Sequence, residues 1–168
     1  MCFANDNVEV IGVDNASMML DIANTKVSET TNVKFKLEDA ENMSFEDNTF
    51  DVATVGFGVR NFEDLNQGLR EINRVLKPGK ILIILETAVP SFFLFRFGYF
   101  LYTKFVVPIL GRIIAKNQQA YQYLSTSAEH FPHGKEFQLI LDKAGFENIK
   151  VKYLSLGIVN IYQASKPI

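Results

Sequence analysis

Cysteine is nearly absent from this chain. Among 168 residues there is one, Cys2, so no internal disulfide can form. With no second cysteine and only two histidines, His130 and His133, there is no metal-ligand spacing to read, and no metal is expected. That usage fits a reducing compartment, and the cytoplasm is the expected location. An excess of positive charge is missing too: 17 Lys and Arg stand against 19 Asp and Glu, a net charge of -2. A nucleic-acid binder normally shows a basic stripe, or aromatics interleaved with Lys and Arg. Neither stands out, so no nucleic-acid partner is expected. Residues Met1 to Asn7 hold neither a positive n-region nor an apolar h-region and do not read as a signal peptide. Repeats and low-complexity tracts are also lacking.

What is present is the balance of a folded domain, with 48% apolar and 21% charged residues. The length suits one domain with a substantial core, and no internal boundary is expected. Val8 to Val13 is a short β-branched run ending at Asp14, the pattern of a buried parallel strand whose carboxyl end carries an acid. A helix opens at Ser17, although its apolar residues Met18, Leu20, Ile22 and Val27 mark no clean face. Val33 to Leu37 and Phe50 to Val55 return to strand character. From Asp64 to Leu76 the spacing of Leu65, Leu69, Ile72, Val75 and Leu76 predicts an amphipathic helix stopped by Pro78 and Gly79. Ile81 to Leu85 is a continuous aliphatic strand ending at Glu86. A helix over Glu136 to Ala144, closed by Gly145, precedes two further strands, Ile149 to Leu154 and Ile158 to Ala164. Strand alternating with helix implies an α/β fold: a mostly parallel sheet with helices on both faces.

One stretch breaks the alternation. From Ala88 to Ala115 the chain is crowded with Phe, Leu, Tyr and Val, yet Arg96, Lys104, Arg112, Gly98 and Pro108 interrupt it, which argues against a membrane span. A helical insertion over about 88–130 is expected, either packed on the domain or serving as an apolar lid or membrane-resting surface for a greasy substrate.

In such sheets ligands bind outside the carboxyl ends of the strands, where an acid typically holds ribose hydroxyls. Asp14 and Asp39 both follow strands and would converge at one edge; each could equally be a turn or helix cap. After the Phe50 strand comes Gly56-Phe57-Gly58-Val59-Arg60-Asn61. Small residues there let a ligand approach the backbone, and Arg60 offers a fixed charge to an oxyanion. A plain turn with a solvated arginine is the alternative.

These segments fall into an ordered set. Val10 through Leu20 (VIGVDNASMML), Glu38-Asp39-Ala40-Glu41, Phe57-Gly58-Val59-Arg60-Asn61-Phe62 and Arg74 through Gly79 resemble the blocks of UbiE/MenG-type quinone C-methyltransferases, a class I S-adenosylmethionine-dependent family. Tyr121-Gln122-Tyr123-Leu124, Phe131-Pro132 and Gly157-Ile158-Val159 match its C-terminal pattern, so the resemblance covers essentially the whole chain. It implies a Rossmann-like sheet with an antiparallel last strand. It also implies S-adenosyl-L-methionine as cofactor, held by Asp14 at the ribose and by Asp39 and Ala40 at the adenine, with Asn15 among the cofactor-binding residues and Gly56 where the family often has a serine. Arg60 and Asn61 match the family's catalytic pair, and Tyr121 and Tyr123 would line an aromatic substrate pocket.

The implied reaction is methylation of a ring carbon of a prenylated quinol precursor. That chemistry needs a phenolate in a water-poor pocket; Arg60 would stabilise the anion and Asn61 would fix the ring oxygen. His130 and His133 have a suitable range for a base but rank below Arg60. The family's first strand and Gly-rich turn have no counterpart before Val8, so the chain is expected to be an N-terminally truncated domain. A missing central strand would leave two open edges, to be covered by direct pairing or by a homo-oligomer. Peripheral contact with the inner membrane face is expected from the substrate's tail. A nucleotide-dependent dehydrogenase is disfavoured, because no Gly-x-Gly-x-x-Gly follows a first strand. An inactive fragment acting as a binding module and a methyltransferase for another small lipophilic compound remain as alternatives.

Overall fold

The computed structural model describes residues 8–27, 32–90, 93–101, 104–105, 123 and 126–168. They divide into two compact units, Met1–Glu46 and Asp47–Ile168.

In the first unit, β1 (Val10–Asp14) and β2 (Val33–Leu37) pair in parallel, from Val10 opposite Val33 to Asp14 opposite Leu37. Parallel neighbours need a crossover, and α1 (Ser17–Lys26) supplies it. Gly12 lies opposite Phe35 in the ladder, where a Cβ would come within 2.7 Å of the ring. Glycine is required for that ring to cross the strand. As its irregular pattern suggested, α1 fully buries none of its residues, and Met18, Met19 and Ile22 remain exposed.

The second unit holds a four-stranded sheet of order β3-β4-β6-β5, formed by Phe50–Gly56, Leu76–Thr87, Val159–Ser165 and Glu147–Leu154. β3 and β4 are parallel, and β6 runs antiparallel to both β4 and β5, which bears out the α/β class and the antiparallel last strand. The helix α2 (Leu65–Val75) begins where Asp64 accepts the Gln67 N-H at 3.0 Å, a side-chain N-cap. Its Leu69, Ile72 and Val75 are buried. Gly68 on this helix meets the ring of Phe62, 2.4 Å from where a Cβ would sit.

The helix ends where its spacing placed it, but the strand after it begins before Pro78-Gly79 and not at Ile81. The helix ends at Val75, and β4 starts at once with Leu76, fully buried and paired with Phe50. Proline cannot donate to a ladder, so the strand bulges over 77–80, with Gly79 at a φ of 73°, before Ile81 resumes pairing with Val52. From there the two-residue period puts Leu82, Ile84 and Glu86 on one buried face.

Two further helices of the unit bear on the site. Of the apolar insertion, α3 (Phe93–Leu101) is described; Tyr121 lies outside the described residues. α4 (Lys135–Lys143) buries Phe137 and Leu141 and ends before Gly145, whose φ is 90° and whose carbonyl accepts the Asn73 side chain at 3.1 Å. Among the described residues no helix is long and apolar enough to cross a membrane.

Candidate active site

Within the first unit, Asp14 ends β1 and its Oδ1 accepts the Ala16 N-H at 2.8 Å. The cap residue of α1 is Ala16, so Asp14 braces the turn after the strand instead of capping the helix. The Glu38 N-H reaches the Asp14 carbonyl at 3.1 Å, which brings the end of β2 beside the end of β1. Asp39 repeats the device, its Oδ1 accepting the Glu41 N-H at 2.9 Å. Each acid thus spends one oxygen locally; the other has no hydrogen bond among the described residues. Two carboxylates at the carboxyl ends of adjacent parallel strands suit the hydroxyl and amino donors of an adenosine. Asn15 is exposed on the turn, and Ala40 sits half-buried next to Asp39.

In the second unit, β3 ends at Gly56, and a Cβ added there would meet nothing within 4 Å. The open space at the strand's carboxyl end is what a close-lying ligand needs. Phe57 follows with a φ of 56°, an uncommon value for a residue with a side chain, and its N-H donates to the Leu85 carbonyl at 2.8 Å. That kink feeds a 3-10 turn, Val59–Asn61.

Arg60 is no solvated turn arginine. Its Nη1 lies 2.5 Å from Oε1 of Glu86, and the side chains are 9% and 0% exposed. The same Oε1 accepts the N-H and the hydroxyl of Thr87, at 2.8 and 3.1 Å. Glu86 stands opposite Asn160 in the β4–β6 ladder. Asn160 donates through Nδ2 to the Tyr162 hydroxyl at 3.0 Å, and that hydroxyl also accepts the Gly134 N-H at 2.8 Å. Burial holds the Tyr162 hydroxyl above its ordinary pKa, with the Glu86 charge among the smaller causes. Three atoms in this buried group, Arg60 Nε, Glu86 Oε2 and Asn160 Oδ1, have no partner.

Asn61 is exposed, and its Oδ1 accepts the Tyr123 hydroxyl at 3.0 Å, so two expected site residues do meet. Both histidines donate through Nδ1 to backbone carbonyls, His130 to Thr126 at 2.8 Å and His133 to Phe131 at 3.3 Å. Each keeps Nε2 as its basic nitrogen. They border a pocket of about 430 Å³ with Val89, Pro90, Arg96, Phe100 and Glu129, a few residues beyond the end of β4.

The profile of the ubiE/COQ5 methyltransferase family matches residues 2–166. The chain belongs to that family. The demethylmenaquinone methyltransferase of Staphylococcus saprophyticus is 41% identical over 158 residues, 94% of this chain and 68% of the relative. The corresponding share of the Staphylococcus carnosus enzyme is 66%, so this family member spans about two thirds of the length of such relatives. Among solved structures, a SAM-dependent methyltransferase from Thermotoga maritima superposes with a TM-score of 0.64 at 24% identity, over 94% of this chain and 72% of that one. A Haemonchus contortus phosphoethanolamine N-methyltransferase in complex with S-adenosyl-L-methionine gives 0.67 at 18%, over 95% and 44%. At these identities the likeness establishes the methyltransferase fold.

Sequence reasoning placed Asp14, Asp39, Gly56, Arg60 and Asn61 at strand ends, where the structure has them. Glu86 was legible only as the end of an aliphatic strand. Its two-residue phase with Leu82 and Ile84 was the signal that it points inward, toward a partner.

Proposed function

We propose that this methyltransferase moves a methyl group from S-adenosyl-L-methionine to a ring carbon of a prenylated quinol, of the demethylmenaquinol type. The observation that carries the reading is 41% identity over 94% of the chain to a demethylmenaquinone methyltransferase. When bound, the sulfonium donor supplies an electrophilic methyl; the chain's own residues have to hold it and prepare the acceptor. Asp14 takes the ribose hydroxyls through its second oxygen, Asp39 and the Ala40 backbone take the adenine, and Gly56 leaves room beside β3. Arg60 favours the phenolate form of the quinol by donating to its oxygen, and Asn61, steadied by Tyr123, orients the ring.

Incubating the protein with labelled methyl donor and a short-tailed demethylmenaquinol tests the reaction. Label in the menaquinol fraction is the expected result; label only in a benzoquinol acceptor would move the assignment to the ubiquinone branch. For the cofactor site, Asp14→Ala should weaken donor binding about tenfold or more, the loss of a charge-assisted hydrogen bond. Unchanged affinity by calorimetric titration would remove Asp14 from the site.

The acceptor's tail implies a lipid surface, and α3 supports one. Phe93 is 75% exposed and Phe97 62%, with Phe95 and Phe105 also open and Arg96 among them. Exposed aromatics around a cation suit the headgroup boundary of a bilayer, where the rings enter and the guanidinium stays with phosphates. Vesicles containing anionic lipid should carry the protein upward on flotation, and Phe93→Ser with Phe97→Ser should leave it at the bottom. Equal flotation of both proteins would exclude α3 as the contact.

A further inference from the structure

We propose that Glu86 is a positioning residue for Arg60: its buried carboxylate fixes the direction in which the guanidinium meets the substrate oxygen. The inference rests on the reading of Arg60 as the group that acts on the quinol. Arg60 stands on a 3-10 turn of three residues, reached through the kinked Phe57, and such a short support does not restrain a long side chain. What restrains it is the 2.5 Å contact with Glu86.

Glu86 is itself held. It lies in an uninterrupted stretch of the β4–β6 ladder, between Leu85 opposite Ile161 and Thr87 opposite Val159. One of its oxygens collects three donors, Arg60 Nη1 and the Thr87 N-H and hydroxyl. The sheet therefore passes its rigidity to a carboxylate, and the carboxylate passes it to an arginine on an irregular turn.

The form of the contact favours positioning over stability. Apolar side chains of similar size often stabilise a core as well as a buried ion pair does, because desolvation offsets the attraction. A pair selected for strength would engage fork to fork, with two parallel hydrogen bonds. Here only Nη1 and Oε1 engage, and Arg60 Nε and Glu86 Oε2 are left without partners. An end-on hold keeps the guanidinium in place and leaves its buried Nε-H without a protein acceptor among the described residues. The charged group packed with Glu86 is Arg60, and the titratable one is Tyr162, across the β4–β6 ladder.

A double-mutant cycle on kcat, with Arg60→Met and Glu86→Gln alone and combined, tests this on the full-length protein with demethylmenaquinol as acceptor. Each single change should lower kcat about tenfold or more and leave KM for the methyl donor within about twofold. In the Arg60→Met background, Glu86→Gln should then cost less than about twofold, because its effect runs through the arginine. Losses that multiply would overturn the inference. If Arg60→Met does not fold, Arg60→Lys takes its place in the cycle, with the same reading. A wild-type protein that methylates no quinol would sink the proposed function, and the inference would then be decided by NMR of the Arg60 Nε-H. That signal should be sharp and slow to exchange in the wild type and should merge with solvent in Glu86→Gln; an unchanged signal would overturn the proposal.

Discussion

Arg60→Ala should cost the protein about 3–5 kcal/mol of unfolding free energy, a large change for a single residue on a turn. The cause is what the change leaves behind. Glu86 has no exposed side-chain surface, and alanine would strand its carboxylate without the cation that, among the described residues, pairs with it. For a chain of this size the melting temperature should fall by roughly 10 °C. Adding Glu86→Leu should recover much of the loss, since a leucine extends the apolar face of Leu82 and Ile84, and turnover should not return with it. Urea unfolding of the two variants beside the wild type measures both effects. A wild-type midpoint for Arg60→Ala would show that the ion pair is solvated in solution.

Phe137→Ala should be of similar size, about 3–5 kcal/mol, by a different route. This ring is fully buried on α4, with its centroid 5.0 Å from that of Phe131 and 4.7 Å from that of Tyr162. Removing it opens a cavity beside the ring of Tyr162, whose hydroxyl joins Asn160 to the Gly134 amide. Phe137→Leu, which keeps much of the volume, should cost less than half as much. The chain has six tyrosines and no tryptophan, so near-ultraviolet dichroism follows the packing of the tyrosines as a group, Tyr162 among them. A truncation that shifts neither the melting curve nor these signals would mean that α4 does not depend on this contact.

Local chemistry was readable in the sequence, and partnership was not. Val33 to Leu37 is a strand with the expected bounds, and the three- and four-residue spacing from Leu65 gave α2 its buried face. Both patterns are set within a few residues. Pro78 and Gly79 look like a break, so the following strand is expected at Ile81, whereas Leu76 already pairs with Phe50. Asp14 and Asp39 could be set at strand ends, but that each would commit one oxygen to its own turn required coordinates. Arg60 stood out from its motif. Its partner depends on a strand 26 residues later, and the network around that partner depends on the register of Glu86 with Asn160, which no short-range pattern encodes.

The position of β6 bears on how the protein comes to exist in the cell. The strand Val159–Ser165 is the last one in sequence, yet it lies inside the sheet, with β4 on one side and β5 on the other. Until Ser165 has left the ribosome, β4 has an open flank and Glu86 has no Asn160 beside it. The nascent chain must therefore carry the apolar run Ile81–Leu85, with one long side uncovered, until β6 has been made. Such a segment is a natural client for a chaperone that binds extended hydrophobic stretches, and slowing translation between β4 and β6 would lengthen the time for which that help is needed.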